Sequence, residues 1–172
     1  MLRPAVFLDR DGVLNEVLER DGRPGSPRTA SDLRLVDDLD HVRRLKNAGL
    51  LVFIMTNQPD RSRGLLSPEE LDTMMALIRS RVPIDDYRVC EHDDPDDCPC
   101  RKPRPGMILD LAHHWHVDLE RSYVIGDTWR DIGAARAAGC ASILIRRPYN
   151  LDVEADAEAG SLAAAVDIVL DQ

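Results

Sequence analysis

Four short apolar runs, Ala5–Leu8, Leu50–Met55, Ser122–Ile125 and Ala141–Ile145, constrain this chain more than any other feature. Each has the length of a buried strand and is too short for a packed helix. Between them lie stretches with helical patterning: Leu39–Asn47, Pro68–Arg81, Gly106–His116 and Asp131–Ala138. Gly49 and Gly139 each stop a helix just ahead of a strand. Ser67, Pro68 and Glu69-Glu70 read as an N-cap, a first-position proline and an acidic first turn. Ser161–Leu170 reads as a terminal helix that packs by one apolar face. Strands alternating with helices predict an α/β fold: a Rossmann-like, doubly wound, mainly parallel sheet with helices on both faces. The length of 172 residues suits one domain, 1–172, with one sizeable core.

Ligands of such sheets bind where the strands end. Asp9, Thr56 and Asp127 each fall at a strand end, so one site is expected to gather them. Two segments are irregular. Asn15–Asp38 holds Gly22, Pro24, Gly25 and Pro27 and reads as a long loop or flap, and Asp93–Pro105 is rich in Asp, Pro and Cys.

A net charge of −9 and a pI near 5.0 argue against nucleic acid, which calls for a basic face, and against an anionic membrane surface. No apolar stretch approaches a membrane-spanning length, and an Asp already at position 9 argues against a secretory leader. The expectation is a cytoplasmic monomer.

The chemistry begins at Asp9-Arg10-Asp11-Gly12, directly behind the first strand. Two acids this close repel, and burial disfavours both charged forms. Either a cation lies between them or one holds a proton, unless they are merely solvated turn residues. A carboxylate can attack phosphorus, while a second acid protonates the leaving oxygen and then takes a proton from water. Thr56, with Asn57 and Gln58, closes the second strand and offers a hydroxyl and backbone N–H groups to phosphate oxygens. Arg101 and Lys102 add a planar fork and a compact cation. Asp127 is placed to complete a Mg²⁺ site with Asp9, and Asp131 begins a helix either near the same ion or as a partner of the helix dipole. Cys90, His92, Cys98 and Cys100 form a C-x-H-x₅-C-x-C set, which suits a closed, structural Zn²⁺ shell in a loop over residues 90–100. Cys140 reads as core, and His113, His114 and His116 as helix-surface residues.

Together these residues resemble the haloacid dehalogenase superfamily of aspartate-nucleophile phosphatases. Its four motifs appear in order as Asp9-Arg10-Asp11-Gly12, Thr56-Asn57-Gln58, Lys102, and Gly126-Asp127 with Asp131. Phe7–Asn15, Cys98–Pro103 and the zinc set look like the D-glycero-D-manno-heptose 1,7-bisphosphate phosphatase group, a relative of histidinol-phosphate phosphatase. The resemblance implies Asp9 as nucleophile and Asp11 as general acid and base. It implies that Thr56 and Lys102 steady the phosphoryl group and that Arg101 recognises substrate. It places Mg²⁺ on Asp9, the Asp11 backbone carbonyl and Asp127.

Three departures fall on the substrate side: a short segment after His92, Pro59-Asp60 in place of Ser-Gly, and Thr128 in place of a substrate-contacting Lys. The motif spacing leaves no room for a large cap domain, so residues 16–36 and 58–64 are expected to choose the substrate, with Arg61 and Arg63 adding positive charge. The implied function is a Mg²⁺-dependent phosphomonoesterase on a small sugar phosphate, the heptose bisphosphate foremost, acting through an aspartyl-phosphate. Histidinol-phosphate hydrolysis is the alternative on the same machinery. A non-catalytic, zinc-stabilised phosphate-binding or phospho-acceptor domain is the alternative of another class.

Overall fold

The computed structural model describes residues 2–171. The main sheet has six parallel strands: β1 (Ala5–Leu8), β4 (Leu51–Asn57), β5 (Asp86–Cys90), β6 (Tyr123–Gly126), β7 (Ala141–Ile145) and β8 (Ala157–Ala159). Their order is β5-β4-β1-β6-β7-β8. The chain builds outward from β1 on one side and then returns to add β6 on the other. That reversal makes the carboxyl end of β1 the topological switch point, where a crevice opens. β2 (Leu18–Arg20) and β3 (Arg23–Gly25) form a separate antiparallel hairpin.

All four residues of β1 are buried, as a central parallel strand requires. Its side chains alternate between two cores. Val6 and Leu8 pack with α1 (Val42–Asn47), α2 (Pro68–Arg81) and α5 (Leu162–Leu170), while Ala5 and Phe7 pack with α3 (Gly106–Trp115) and α4 (Trp129–Ala138). Truncating a core aromatic such as Phe7 to Ala costs about 3–5 kcal/mol. The sheet and its two helical layers are the expected doubly wound fold. Between β1 and β4 the chain holds only the hairpin, short helical turns and α1, and between β4 and β5 only α2, so no large cap is inserted. No helix among the described residues is long and apolar enough to cross a membrane.

The caps follow the sequence. Ser67 Oγ accepts the Glu70 N–H at 3.1 Å ahead of α2, and Ser161 Oγ accepts the Ala164 N–H at 3.1 Å ahead of α5. Several expectations shift. Leu39–Asn47 opens as a 3₁₀ turn, Leu39–His41, before α1 proper. The helix expected from Gly106 to His116 ends at Trp115, with His116 in the left-handed region at φ 53°. The flap Asn15–Asp38 is not structureless, because it carries the β2–β3 hairpin. Asp21 and Gly22, at φ 51° and 72°, make its two-residue turn. Strand β5 was not expected. It is half-buried at the sheet edge, and its Asp86 and Arg88, paired at 2.9 Å, interrupt the apolar pattern. β8, another edge strand, is only three residues long and gives no periodic signal.

Candidate active site

The switch point holds a cleft of about 480 Å³ with Asp9, Asp11, Lys102 and Asp127 on its wall. Asp9 leaves β1 with its N–H on the Ile125 carbonyl at 3.0 Å, which fixes it against β6. Its Oδ1 accepts the Arg10 N–H at 2.7 Å and lies 2.9 Å from Lys102 Nζ. The Lys102 ammonium also donates to Asp131 Oδ1 at 2.6 Å and to the Met55 carbonyl at 3.2 Å, so all three of its protons are engaged in the interior. Asn57 holds that lysine in place. Its Nδ2 donates to the Lys102 carbonyl and its Oδ1 accepts the Lys102 N–H, both at 3.1 Å. Asn57, expected to meet phosphate, thus spends its amide on the lysine's backbone.

Asp11 faces a different setting. Arg10, completely buried, donates Nε to Asp11 Oδ1 at 3.1 Å and Nη2 to Oδ2 at 3.2 Å. Asn15 donates to Oδ1 at 2.9 Å, Ser26 to Oδ2 at 2.7 Å and Gln58 to Oδ2 at 2.8 Å. Gln58 also donates to Thr56 Oγ1 at 2.9 Å, and Thr56 itself is buried beneath the cleft. Burial pushes the Asp11 carboxyl up, but Arg10 and these donors outweigh it and hold it below the usual carboxylate range. Asp9 moves the other way. Burial and then Asp131 raise it well above its ordinary value, with Lys102 only partly opposing them. Burial and Asp131 likewise push Asp127 up to about 7, against a hydrogen bond from the Tyr149 hydroxyl. Lys102 is raised, because Asp131 and Asp9 overcome the desolvation of its charge. In the metal-free site Asp9 is thus pushed toward its protonated form while Asp11 is held ionised, and a cation beside Asp9 would bring that carboxyl back down.

The acid-rich side fits a hard cation. Carboxylate oxygens of Asp9, Asp127 and Asp131 lie within 4.8 Å of one another. Asp131 is already committed, with Oδ1 on Lys102 and Oδ2 accepting the Thr128 N–H at 3.0 Å and hydroxyl at 2.7 Å. It closes a capping box on α4, which also explains Thr128 as a helix cap. Asp127 Oδ1, by contrast, is buried without a partner. Gly12, at φ 83°, lets the loop lie so close that a Cβ there would run into the Asp127 carboxylate. An unpaired buried oxygen beside an acid excess suits Mg²⁺ on Asp9 and Asp127.

The cysteine loop fits a second ion. Cys90, Cys98 and Cys100 Sγ are 3.2–3.6 Å apart, and His92 Nδ1 is 3.7 Å from Cys90 and 3.4 Å from Cys100. Ligands about 2.3 Å from a tetrahedral Zn²⁺ are separated by roughly these distances. The loop reaches the cleft through Asp94, whose Oδ1 accepts Arg101 Nε at 2.6 Å.

The loop cations differ from expectation. Arg61 is 3.3 Å from Glu91 and donates to the Leu66 carbonyl at 2.7 Å, and Arg63 pairs with Asp93 at 2.6 Å and Asp60 at 3.3 Å. Acids opposite them neutralise the charge they were expected to offer. His113, His114 and His116 are exposed and off the cleft wall. Sequence reasoning passed over Arg10, Asn15, Ser26 and Tyr149, and the flap arginines Arg20, Arg23 and Arg28 that line the cleft. The Asp21-Gly22 turn dipeptide was the available signal for the flap; a lone Ser or Tyr carries none.

Residues 99–171 match the family model described as HAD-hydrolase-like. The chain is 41% identical over 150 residues to the D-glycero-β-D-manno-heptose-1,7-bisphosphate 7-phosphatase of Rhodopseudomonas palustris, covering 80% of each chain. It is 34% identical over 152 residues to the enzyme of that name from Pseudomonas aeruginosa, covering 85% of this chain and 83% of the relative. Its fold superimposes on the crystal structure of D,D-heptose 1,7-bisphosphate phosphatase from B. bronchiseptica, complexed with magnesium and phosphate. The TM-score is 0.84, with 29% identity over 98% of both chains.

Proposed function

The chain belongs to the haloacid dehalogenase-like phosphatases, and from that premise we propose that it hydrolyses D-glycero-D-manno-heptose 1,7-bisphosphate at the 7-phosphate through an aspartyl-phosphate on Asp9. The observation that carries this reading is the divided setting of the two acids: Asp9 beside Lys102 and Asp127, and Asp11 across from it among donors.

An Asp9 carboxylate oxygen attacks phosphorus, and the bond from phosphorus to the C7 oxygen breaks. Both hydrogen bonds to Asp9 fall on Oδ1, which leaves Oδ2 for the attack. The leaving oxygen takes a proton from Asp11, which must be protonated at this step although its donors favour the ionised form in the resting chain. Water then attacks the phosphorus of the aspartyl-phosphate and passes its proton to Asp11, releasing inorganic phosphate and Asp9. The donors around Asp11 favour the ionised form that this second step needs. Lys102, fixed by Asn57 and Asp131, supplies positive charge to the transferring phosphoryl oxygens, and Thr56 fixes Gln58 and through it Asp11. Mg²⁺ held by Asp9, the Asp11 backbone carbonyl and Asp127 would neutralise phosphoryl charge. Zn²⁺ on Cys90, His92, Cys98 and Cys100 would be structural, shaping the loop that presents Arg101.

The names of the relatives and the arginine-lined cleft favour a bisphosphate over histidinol phosphate, whose ammonium would meet Arg20, Arg23, Arg28 and Arg130. A non-catalytic phospho-acceptor would not need Asp11 so closely held. The test is kcat/KM for the heptose bisphosphate, histidinol phosphate and an aryl phosphate at one Mg²⁺ concentration. The heptose bisphosphate is expected to lead by at least about tenfold, or 1.4 kcal/mol in transition-state terms. A lead for histidinol phosphate refutes the substrate, and no turnover of any of the three refutes the enzyme.

A further inference from the structure

The flap hairpin places two arginines directly opposite each other. Arg20 pairs with Arg23 across the Asp21-Gly22 turn, so both side chains leave the same face of the ribbon, and both line the cleft. Like charges directly opposite in a two-stranded ribbon are destabilising, and this ribbon has no third strand to offset the cost. The pairing is explained if an anion occupies that face.

The partners of the other cleft arginines sharpen the point. Arg28 is held by Asp60 at 2.7 Å, Arg63 by Asp93 at 2.6 Å and Arg101 by Asp94 at 2.6 Å. Their charge is answered within the protein. Arg20 is not so well met. Its nearest carboxylate, Asp32, is 3.8 Å away, its Nη2 reaches the Ser26 carbonyl only at 3.4 Å, and its Nε is shielded from solvent without an acceptor. Arg23 makes no ion pair among the described residues and is exposed at the cleft mouth. Arg130, on the same wall, is 3.5 Å from Asp94, and its Nε also lacks a partner. Of the guanidinium donors without acceptors, the Nε groups of Arg20 and Arg130 belong to residues that line the cleft, and Arg20 is the one on the flap.

We propose that Arg20 and Arg23 form a second anion subsite on the flap, which binds the phosphate of the substrate that is not cleaved. The inference rests on the phosphatase reading above and adds the residues that select a doubly anionic substrate. Planar forks on a two-stranded arm suit a phosphate oxygen pair. Binding energy gained there positions the reacting end over Asp9.

The test uses the full chain carrying Asp9→Asn, so that ligands persist, and titration calorimetry with the heptose 1,7-bisphosphate and the heptose 7-phosphate. The parent is expected to bind the bisphosphate at least about tenfold more tightly than the monophosphate. Arg23→Ala, at an exposed position that threatens no core, is expected to lower that ratio threefold or more, and Arg23→Glu further. Arg121→Ala, on an exposed turn at the opposite end of the sheet, should leave the ratio unchanged. A parent without preference, or a ratio that falls by less than threefold in both Arg23 variants, overturns the subsite. Aryl phosphate turnover by the protein with Asp9 intact judges the phosphatase reading separately. Turnover with a flat ratio sinks the flap subsite alone, and a shifted ratio without turnover sinks the phosphatase reading alone.

Discussion

Lys102 and Arg101 are neighbours in the chain, yet one belongs to the floor of the cleft and the other to its rim. Lys102 is enclosed, with Asp9, Asp131 and the Met55 carbonyl taking its protons and Asn57 clasping its backbone. Arg101, though itself buried, reaches to Asp94 and Asp93 of the cysteine loop, and Asp94 is largely exposed. The floor is built at the ends of β1, β4 and β6, where backbone pairing fixes each group to its neighbours. The rim is built from loops cross-linked by ion pairs that solvent can screen. The floor is therefore suited to a reaction that needs fixed geometry, and the rim to choosing what is brought to it.

The largest expected effect separates these neighbours. Lys102→Ala leaves two buried acids without their counter-charge, and breaking a buried pair in this way costs about 3–5 kcal/mol. Urea unfolding at pH 8 should show this loss together with loss of turnover. Arg101→Ala should move the urea midpoint far less and act mainly on KM. Equal destabilisation by the two substitutions would erase the distinction between floor and rim.

Next in size is the cysteine loop. On the proposed Zn²⁺ shell, Cys98→Ser removes one of four ligands, and the loop that carries Asp94 and Arg101 should lose its shape while the sheet keeps its own core. Activity should therefore fall before the far-ultraviolet signal of the fold does, with metal content measured alongside. A metal-free variant with full activity would show that the rim holds itself.

These contrasts also describe what could be read in the sequence. Ala5–Leu8 appears in the structure with the boundaries expected of it, because a strand buried on both faces must be continuously apolar. Asp9, Asp127 and Lys102 were legible because strand ends converge and charged residues there are conspicuous. Arg10 was not. An arginine between two acids reads as a solvated residue, and only the folded loop shows it completely buried against Asp11. Ser26 and Tyr149 reach the site from residues 15 and 22 positions away from Asp11 and Asp127, through contacts that no local pattern announces. The edge strands β5 and β8 escaped for a related reason, since half-exposed strands carry charges that mask their period. The arginine placement at residues 61 and 63 was legible, but of the acids that neutralise it only Asp60 is a chain neighbour, and Glu91 and Asp93 come from a separate segment.

A smaller effect concerns protons at the floor. Asp127, pushed up to about 7 by burial and Asp131, holds a proton in the folded chain at pH values where the unfolded chain has lost it. Folding stability of the metal-free protein should then fall as pH rises from about 4 to about 7. Mg²⁺ should remove much of that decline, so the rise in Tm on adding it should be greater at pH 7.5 than at pH 5. A Mg²⁺ effect independent of pH would place the ion elsewhere.

Asp9 is the proposed covalent link between chain and phosphate, and acid-quenched single turnover with a labelled phosphomonoester tests that link most directly. Label is expected on the peptide containing Asp9 in the unaltered protein, to persist longer in Asp11→Asn, and to be absent in Asp9→Asn, whose turnover should fall by about 10⁴-fold or more. Phosphate released at a normal rate by Asp9→Asn, or label trapped on a different residue, would contradict it.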